Sequence, residues 1–268
     1  MSRHTLTYNG IDLSTFGAYV SGEGAWKKPA PEFEQISVPG RSGDVLLYNG
    51  RYSNVDITYK MGIVDSFDTN YSSMISCLMS DPGYHKLVDS SHPGVYRMAA
   101  VSVGVEPDMT QHNLSGQFKI TFNCKPQTFL DEGDERYCLI NAGSTSGTGI
   151  TNTIYNPTAF PTWPLVQVSV ASANGTVYLA IQKKTGQNTW SSVALTKYVV
   201  TATNASLLID TETGNVTDAT TGADMNSFLK TSQSLFAQIP GGGRITSLAP
   251  YSNPNDATVH VIPRWWRL

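Results

Sequence analysis

Phe118–Pro126 has the sequence FKITFNCKP, in which apolar and polar side chains alternate. Successive side chains of a strand point to opposite faces, so this segment predicts a half-buried strand with its four apolar residues on one side. Because Pro126 has no N–H to donate, we expect the pairing of this strand to end there. The acidic run that follows, Asp131–Glu135, repels itself and predicts a solvated joint between two modules.

The length and charge of the chain limit its classes of function. A chain of 268 residues is long enough for two domains with separate cores. Residues 1–140 carry 11 Lys and Arg against 16 Asp and Glu, whereas residues 141–268 carry 7 against 5. Neither half has the basic surplus that is typical of a duplex-binding protein, so we expect no specific binding of nucleic acid.

The cysteines and the N-terminus bear on the cellular compartment. Cys77, Cys124 and Cys138 make no obvious disulfide framework, and we expect Cys77 and Cys124 to be buried thiols. The N-terminus lacks the apolar region of a signal peptide, and no apolar run reaches the length of about 18 residues that a membrane span needs. These patterns predict synthesis in the cytoplasm and no contact with a membrane.

Residues 1–138 are predicted to form an α+β domain in which one helix covers a sheet. The pair Asn9–Gly10 predicts a hairpin near the N-terminus, because both positions accept positive φ. Asn49–Gly50 is interpreted as a second reversal on the same grounds. Apolar residues at helical spacing predict one helix over Ser66–Leu78.

Residues 139–268 are predicted to form a β-sandwich. Short alternating segments recur from Val166 onward, with turn signals such as Asn174–Gly175 between them. A linker rich in Ser, Thr and Gly at residues 143–149 precedes these segments. The predicted fold class is therefore mainly β, with an α+β domain followed by a sandwich.

The sequence contains no strong motif for catalysis or metal binding. It has neither Gly-x-Ser-x-Gly nor His-Glu-x-x-His, and its five histidines are scattered. Gly241–Arg244 lacks the Lys-Ser/Thr of a phosphate-binding loop, and Asp210–Gly214 departs from the calcium-loop spacing, so both are interpreted as turns. A glycosidase that uses a pair of acidic residues stays an open alternative. We expect no enzyme, no metal and no cofactor.

Three stretches together resemble the distal tail protein (Dit) family of long-tailed, non-contractile phages, the siphophages. The first is Val38–Asp44, with the sequence VPGRSGD, followed by the strand through Val55, Ile57 and Tyr59. The second is Phe118–Leu130. The third comprises four segments of the C-terminal half: Asn156–Pro164, Leu208–Val216, Ile239–Gly243 and Ile262–Trp265. The order and spacing of these stretches, which cover nearly the whole chain, carry the resemblance.

The resemblance implies an N-terminal belt domain that forms a ring, typically a hexamer, and a C-terminal galectin-like β-sandwich that points outward. Such a ring joins the tail tube protein above to the tail-tip protein below, and DNA passes through its central hole. In some relatives the outer domain holds receptor-binding proteins or carries inserted carbohydrate-binding modules. The implied function is a structural hub of the tail tip or baseplate in host adsorption. The implied location is the virion, after synthesis in the host bacterial cytoplasm.

The candidate residues of a ring interface are Gly40, Arg41, Gly43 and Asp44. The two glycines permit a sharp turn at positive φ. Arg41 is then free to reach an acidic neighbour, either within the subunit or across the ring joint. A plain turn with a solvated Arg41 is an equally good interpretation.

The alternative function is a carbohydrate-binding module or adhesin, because galectin-like sandwiches bind sugars through exposed aromatic residues. The candidates for contact with a sugar or a partner are Trp190, Trp265 and Trp266, and Trp163 and Tyr198 are further aromatic candidates. We interpret the tandem Trp265–Trp266 as one ring packed in the sandwich and one on the surface. A ring assembly favours the hub, whereas a monomer that binds glycan favours the alternative.

Overall fold

The protein is described from a computed structural model, and its chain divides into two compact units. Residues 1–129 together with Leu268 form the first unit, and residues 130–267 form the second. The structure describes residues 3–21, 27–102, 107–110, 114–140, 153–171, 175–187, 189–231, 238–247 and 257–268. The predicted linker at residues 143–149 lies outside these stretches.

The first unit combines one α-helix with ten strands among its described residues. In chain order these are β1 (Leu6–Tyr8), β2 (Ile11–Asp12), β3 (Ala18–Val20), β4 (Pro31–Ile36), β5 (Val45–Tyr52), β6 (Val55–Ile63), α1 (Phe67–Met79), β7 (His85–Asp89), β8 (Val95–Val101), β9 (Pro107–Thr110) and β10 (Ser115–Leu130). The main sheet has the order β2-β1-β7-β8-β10-β6-β3, and β9 pairs with β10. The predicted α+β character of this part of the chain is confirmed.

Strand β10 contains the FKITFNCKP segment and lies inside the main sheet. It pairs antiparallel with β6 as far as the partners Cys124 and Val55. This pairing therefore ends before Pro126, which has no donor, although the strand itself continues to Leu130. Phe122 is fully buried, in agreement with the alternation of the sequence.

Helix α1 packs its apolar stripe against the sheet, as its sequence predicts. Phe67, Met74 and Leu78 are buried, and the Phe67 ring stacks on Tyr71 with 5.2 Å between centroids. Gly116 of β10 lies against the Phe67 ring, where a Cβ atom would come within 2.6 Å of the ring carbon Cε2. The close approach of the helix to the sheet therefore requires glycine at this position.

The two cysteines of the first unit differ from each other in burial. Cys124 is fully buried, and its burial raises the pKa of the thiol to about 11. Cys77 is only half-buried. The prediction of a buried Cys77 is wrong because this residue lies beside the helical stripe that faces the sheet rather than within it.

The predicted reversal at Asn49–Gly50 is also wrong. Strand β5 runs through both residues and pairs with β4, so that the chain reverses earlier, in the loop at residues 37–44. Gly50 has a φ of +75°, and the register between the two strands shifts next to it. The positive φ at Gly50 thus produces a bulge inside a strand rather than a turn between strands.

The second unit is built from strands. In chain order they are β11 (Tyr137–Ile140), β12 (Thr153–Tyr155), β13 (Leu165–Val170), β14 (Gly175–Lys184), β15 (Trp190–Val200), β16 (Ala205–Asp210), β17 (Val216–Asp218), β18 (Leu229–Thr231), β19 (Arg244–Ser247), β20 (Ala257–Ile262) and β21 (Trp266–Arg267). Sheet I has the order β11-β20-β13-β16-β17, and sheet II has the order β12-β19-β14-β15-β18. Val168 of sheet I and Leu179 of sheet II belong to one buried core, so the predicted sandwich is confirmed.

The acidic run Asp131–Glu135 opens the second unit. Its first four residues form a short 3-10 helix whose acidic side chains are exposed. Gly133 at its centre is buried against the backbone of Trp265. A Cβ atom there would lie 2.3 Å from the backbone N of Trp265, so the position requires glycine. The run is therefore solvated on its acidic side and tightly packed at its glycine.

Candidate functional site

The candidate ring-interface residues lie at the tip of the hairpin formed by β4 and β5. Gly40 and Gly43 have φ values of +81° and +85°, which only glycine adopts readily. The backbone N–H of Arg41 donates a hydrogen bond of 3.2 Å to the carbonyl oxygen of Val38. The two glycines and this bond shape the tip so that the Arg41 side chain is exposed.

The two strands behind this tip are apolar on both faces. Residues that pair across an antiparallel ladder point to the same face. Phe33 pairs with Tyr48, and Ile36 on the opposite face pairs with Val45. Every residue from 33 to 51 is exposed. We call β4, β5 and their connecting loop the apolar hairpin.

The exposure of the apolar hairpin is unusual for residues of this type. Leu46 and Leu47, on opposite faces, are 60% and 53% exposed. Among the described strands, β4 and β5 pair only with each other, and an isolated two-stranded hairpin is marginally stable in water. A strand pair that is apolar on both faces is typical of an element covered on both faces. The apolar hairpin therefore has the character of an interaction surface.

The base of the apolar hairpin is held by local contacts. The backbone N–H and the Oγ of Ser53 both donate to the carbonyl oxygen of Ala30, over 3.1 and 3.3 Å. Nε of Arg51 lies 3.0 Å from Oε2 of Glu32. An exposed ion pair of this kind contributes little to stability. These contacts fix the base of the apolar hairpin, whereas the apolar side chains beyond it remain exposed.

The strands of the apolar hairpin are the part of the site that the sequence prediction missed. Val45–Tyr48 reads VLLY, four apolar residues without alternation. Such a run in a strand indicates a segment that is covered on both faces. This apolar run in the sequence would have been enough to include the strands, and not only the tip, in the candidate interface.

The structure removes two of the aromatic candidates from the surface. Trp265 is 2% exposed and belongs to the core of the second unit, so its ring is not available to a sugar. The physical reason is the backbone of Arg264, which has a φ of +55° and donates its N–H to the carbonyl oxygen of Gly133 over 2.8 Å. Tyr198 is likewise buried, and burial raises the pKa of its hydroxyl.

Trp266 is half-buried, as is Trp163. The Trp266 ring stacks on Phe160 with 4.6 Å between centroids, and its Nε1 donates to the carbonyl oxygen of Pro161 over 2.9 Å. Both the polar atom and one face of this ring are therefore engaged within the second unit. Of the tandem pair, Trp265 is therefore the packed ring. Trp266 is the outer ring, but it is only partly on the surface.

Trp190 lies in a cluster on the outward face of sheet II. The guanidinium carbon of Arg244 lies 4.3 Å from the centre of the Trp190 ring, and the Tyr155 ring is 5.7 Å away, centroid to centroid. Nε of Arg244 donates to Oε1 of Gln182 over 2.6 Å, which fixes the guanidinium in place. The sequence prediction found Trp190 but missed Arg244 and Tyr155, because the pairing that joins them connects distant segments.

The four C-terminal segments of the Dit resemblance meet in one cluster of loops. Oγ1 of Thr162 donates to the carbonyl oxygens of Pro263 and Arg264, over 2.7 Å in each case. Nδ2 of Asn156 donates to the carbonyl oxygen of Pro240 over 3.1 Å. Gly241 fits only because it lacks a side chain, since a Cβ atom would lie 2.1 Å from the carbonyl oxygen of Ala159. These segments therefore have a packing role.

The turn at Asp210–Gly214 belongs to the same cluster. Arg264 holds both oxygens of Asp210, over 3.1 and 3.3 Å, and its Nη1 also lies 3.4 Å from Oε2 of Glu212. Burial alone would raise the pKa of Asp210, but the hydrogen bonds from Arg264 and the backbone outweigh it and lower that pKa. A guanidinium thus neutralises the two acids that suggested a calcium loop. Among the described residues, no group of three or more His, Cys, Asp or Glu side chains is placed to hold a metal ion.

Comparison with protein-family models finds no match, and comparison with curated protein sequences finds none either. Solved structures of phage proteins do match. The SPP1 Dit protein (gp 19.1), described as a paradigm of the hub adsorption apparatus in phages that infect Gram-positive bacteria, has a TM-score of 0.66, 14% identity and coverage of 100% of both chains. A chain of the phage P2 baseplate, activated with Ca, has a TM-score of 0.58 and 12% identity over 97% of this chain and 98% of that one.

The P2 baseplate activated with Sr gives a similar result, with a TM-score of 0.55, 12% identity and 97% coverage of each chain. No helix in the stretches that the structure describes is long and apolar enough to cross a membrane. The full-length matches include both units and confirm, at the level of the fold, the resemblance seen in the sequence. The chain therefore has the mainly β fold of the Dit protein of phage tails.

Proposed function

We propose that the chain is a structural hub of a phage tail tip or baseplate. In this proposal residues 1–138 form a ring, of hexameric size, and residues 139–268 form an outward domain. The apolar hairpin carries the proposal, because its two uncovered apolar faces need a partner and a neighbouring subunit can supply one. The likeness of the whole chain to hub and baseplate proteins supports the same role.

The partners in this proposal are other copies of the chain and other tail proteins. The ring joins the tail tube protein to the tail-tip protein, and the outward domain is free to hold a receptor-binding protein. The role is structural rather than catalytic, and the place of action is the virion after synthesis in the host bacterial cytoplasm. The similar structures are named for a baseplate and for the hub of an adsorption apparatus, which supports a role of this kind.

Replacing Arg41 by Ala is expected to weaken ring formation. The side chain is exposed at the tip of the apolar hairpin, where it is free to pair with a carboxylate of the next subunit. A charge-assisted hydrogen bond of this kind contributes about 1.5–3 kcal/mol, so the concentration for half-assembly should rise about tenfold or more. Light scattering after size exclusion and negative-stain images measure this. The purified wild-type chain should form rings, and a wild-type monomer at every soluble concentration contradicts the proposal.

Arg51→Ala is the matched control for this experiment. It removes the same charge from the same hairpin, but at its base, where Arg51 already pairs with Glu32. The control should assemble like the wild type. If Arg41→Ala assembles like the wild type, the intersubunit role of Arg41 is wrong. Whether a ring forms at all is decided separately, by the measurement on the wild type.

Assembled rings are expected to release duplex DNA rather than retain it. Residues 1–140, which include the proposed ring domain, carry 16 acidic against 11 basic residues. Phosphate attraction grows with the number of Lys and Arg contacts, so an acidic wall favours free passage. Gel-shift titration of a short duplex should show no retention at about 0.15 M salt, where screening acts beyond about 8 Å. Tight binding by isolated rings, or a hole lined mainly by Lys and Arg, would contradict this expectation.

A further inference from the structure

The two sheets of the second unit differ completely in the sign of their charge. The five strands of sheet II contain no Asp or Glu, and the five strands of sheet I contain no Lys or Arg. The cations of sheet II are Lys183, Lys184, Lys197, Lys230 and Arg244. The acids of sheet I are Asp210 and Asp218. The cations in the strands of the two sheets therefore all belong to sheet II.

The strand register collects cations and aromatic rings on the outward face of sheet II. Arg244 lies opposite Gln182 on one neighbouring strand and opposite Tyr155 on the other. Lys184 lies opposite Trp190, two residues along from Gln182 and therefore on the same face. These five side chains form a continuous row, which we call the basic aromatic row.

The row continues toward the other end of the sheet. Lys197 lies opposite Tyr178, and its Nζ is 5.6 Å from the centre of the tyrosine ring. The neighbours of Lys197 in sequence, Thr196 and Tyr198, are buried, which shows that Lys197 points outward. Lys183 is next to Lys184 and points to the opposite face. Lys183 is therefore a cation of the same strand that does not belong to the row.

The chemistry of the basic aromatic row fits a sugar polymer with negative charge. Aromatic faces pack against the C–H groups of sugar rings, and Tyr155 is 55% exposed. The planar guanidinium of Arg244 and the amide of Gln182 offer donors and an acceptor for hydroxyl, carboxylate or phosphate oxygens. The open face of a sheet, with its row of rings, suits an extended chain.

Two other classes of ligand fit less well. The core of a protein interface is depleted of lysine, whereas Lys184 and Lys197 both belong to this row. Duplex DNA is held through many phosphate contacts, and residues 141–268 carry only 7 Lys and Arg against 5 acids. We propose that the basic aromatic row binds an anionic polysaccharide, one that carries carboxylate or phosphate groups.

Titration calorimetry of the full chain tests this proposal with defined probes. The charged probes are a hyaluronan oligosaccharide, which carries carboxylates, and a phosphorylated dextran oligosaccharide, which carries phosphates on its sugar rings. A neutral cello-oligosaccharide of equal length tests the need for charge, and polyglutamate tests the need for sugar. At least one charged glycan should bind, more weakly as salt rises, and tighter than the neutral glycan, polyglutamate or a short DNA duplex.

Two pairs of variants locate the site. Trp190→Ala should raise the Kd about tenfold and Trp190→Phe much less, because the phenylalanine keeps an aromatic face. Lys184→Gln should raise the Kd about fivefold, whereas Lys183→Gln, which removes an equal charge from the other face, should change it by less than about twofold. Thermal unfolding of each variant shows whether it is folded.

Several results would overturn the proposal: no binding of any charged glycan, equal binding of polyglutamate or duplex DNA, or equal effects of Lys184→Gln and Lys183→Gln. The proposal does not depend on the ring, because it concerns only the second unit. Loss of ring assembly and loss of glycan binding are therefore separate outcomes.

Discussion

Replacing Leu46 and Leu47 by Ser is expected to abolish self-association of the chain while leaving its folding stability nearly unchanged. The two side chains point to opposite faces of the apolar hairpin and are more than half exposed, so the isolated subunit loses little when they change. In an assembly that covers both faces, each leucine contributes about 1.5–3 kcal/mol of burial. Loss of both should weaken association at least about a hundredfold.

Sedimentation velocity across a concentration series measures the loss, and thermal unfolding measures the stability. The matched control is Val193→Ser with Leu195→Ser, which makes the same kind of change at two exposed apolar residues of the second unit. The control should assemble like the wild type. Normal assembly of the Leu46 and Leu47 variant would show that the apolar hairpin is not the joint between subunits.

Replacing Asp89 by Ala is expected to destabilise the first unit by about 3–5 kcal/mol, because it removes a buried carboxylate that accepts several hydrogen bonds. The Asp89 side chain is 1% exposed and pairs with His4. It also accepts hydrogen bonds from the hydroxyl of Tyr59 over 3.1 Å, and from the backbone N–H and Oγ of Ser91 over 2.9 and 2.7 Å. Removal of the carboxylate leaves these donors without their acceptor. Chemical denaturation of the full chain measures the change.

The contribution of Asp89 should depend on pH. Burial alone would raise its pKa, but the hydrogen bonds from Ser91 and His4 outweigh burial and lower the pKa below the ordinary value of 3.8. A group with a lowered pKa in the folded state stabilises the fold above its unfolded pKa, and this contribution disappears as the pH falls through the folded value. The stability gap between the wild type and Asp89→Asn should thus be constant near neutral pH and close in acid.

Asp44→Asn is the control for this comparison, because it removes a carboxylate that is exposed at the tip of the apolar hairpin. Its effect on the free energy of unfolding should stay within about 0.5 kcal/mol. An Asp89→Ala variant as stable as this control would show that the buried carboxylate is not a structural centre of the first unit.

The sequence predicts those parts of the fold that depend on neighbouring residues. The alternation in Phe118–Pro126 and the helical stripe at Ser66–Leu78 gave elements that the structure contains, because each pattern reports which face is buried. The prediction of a turn at Asn49–Gly50 was wrong, since the local preference for positive φ suits a bulge as well as a turn. Which of the two forms is decided by the pairing of β5 with β4, and not by the dipeptide itself.

The prediction of the candidate sites was also limited to features that depend on neighbouring residues. The tip residues Gly40 and Gly43 were identified from local backbone requirements, and both have positive φ. Which ring of the tandem Trp265–Trp266 is buried was not predicted, because the burial of Trp265 depends on contacts with Gly133, more than a hundred residues earlier in the chain. The contact of Arg244 with Trp190 likewise depends on a register between strands that are far apart in sequence.

The apolar hairpin also has open strand edges, on which backbone N–H and C=O groups can pair with any exposed strand nearby. Such edges expose a free subunit to open-ended stacking into fibres, the hazard of an uncovered flat strand. Glu32 and Glu34 place charges along these edges, and the bulge at Gly50 bends one of them. Charges and bulges of this kind act as gatekeepers. In the proposed ring they would allow this strongly apolar element to stay uncovered in the free subunit, and they would favour an association that stops at a closed ring.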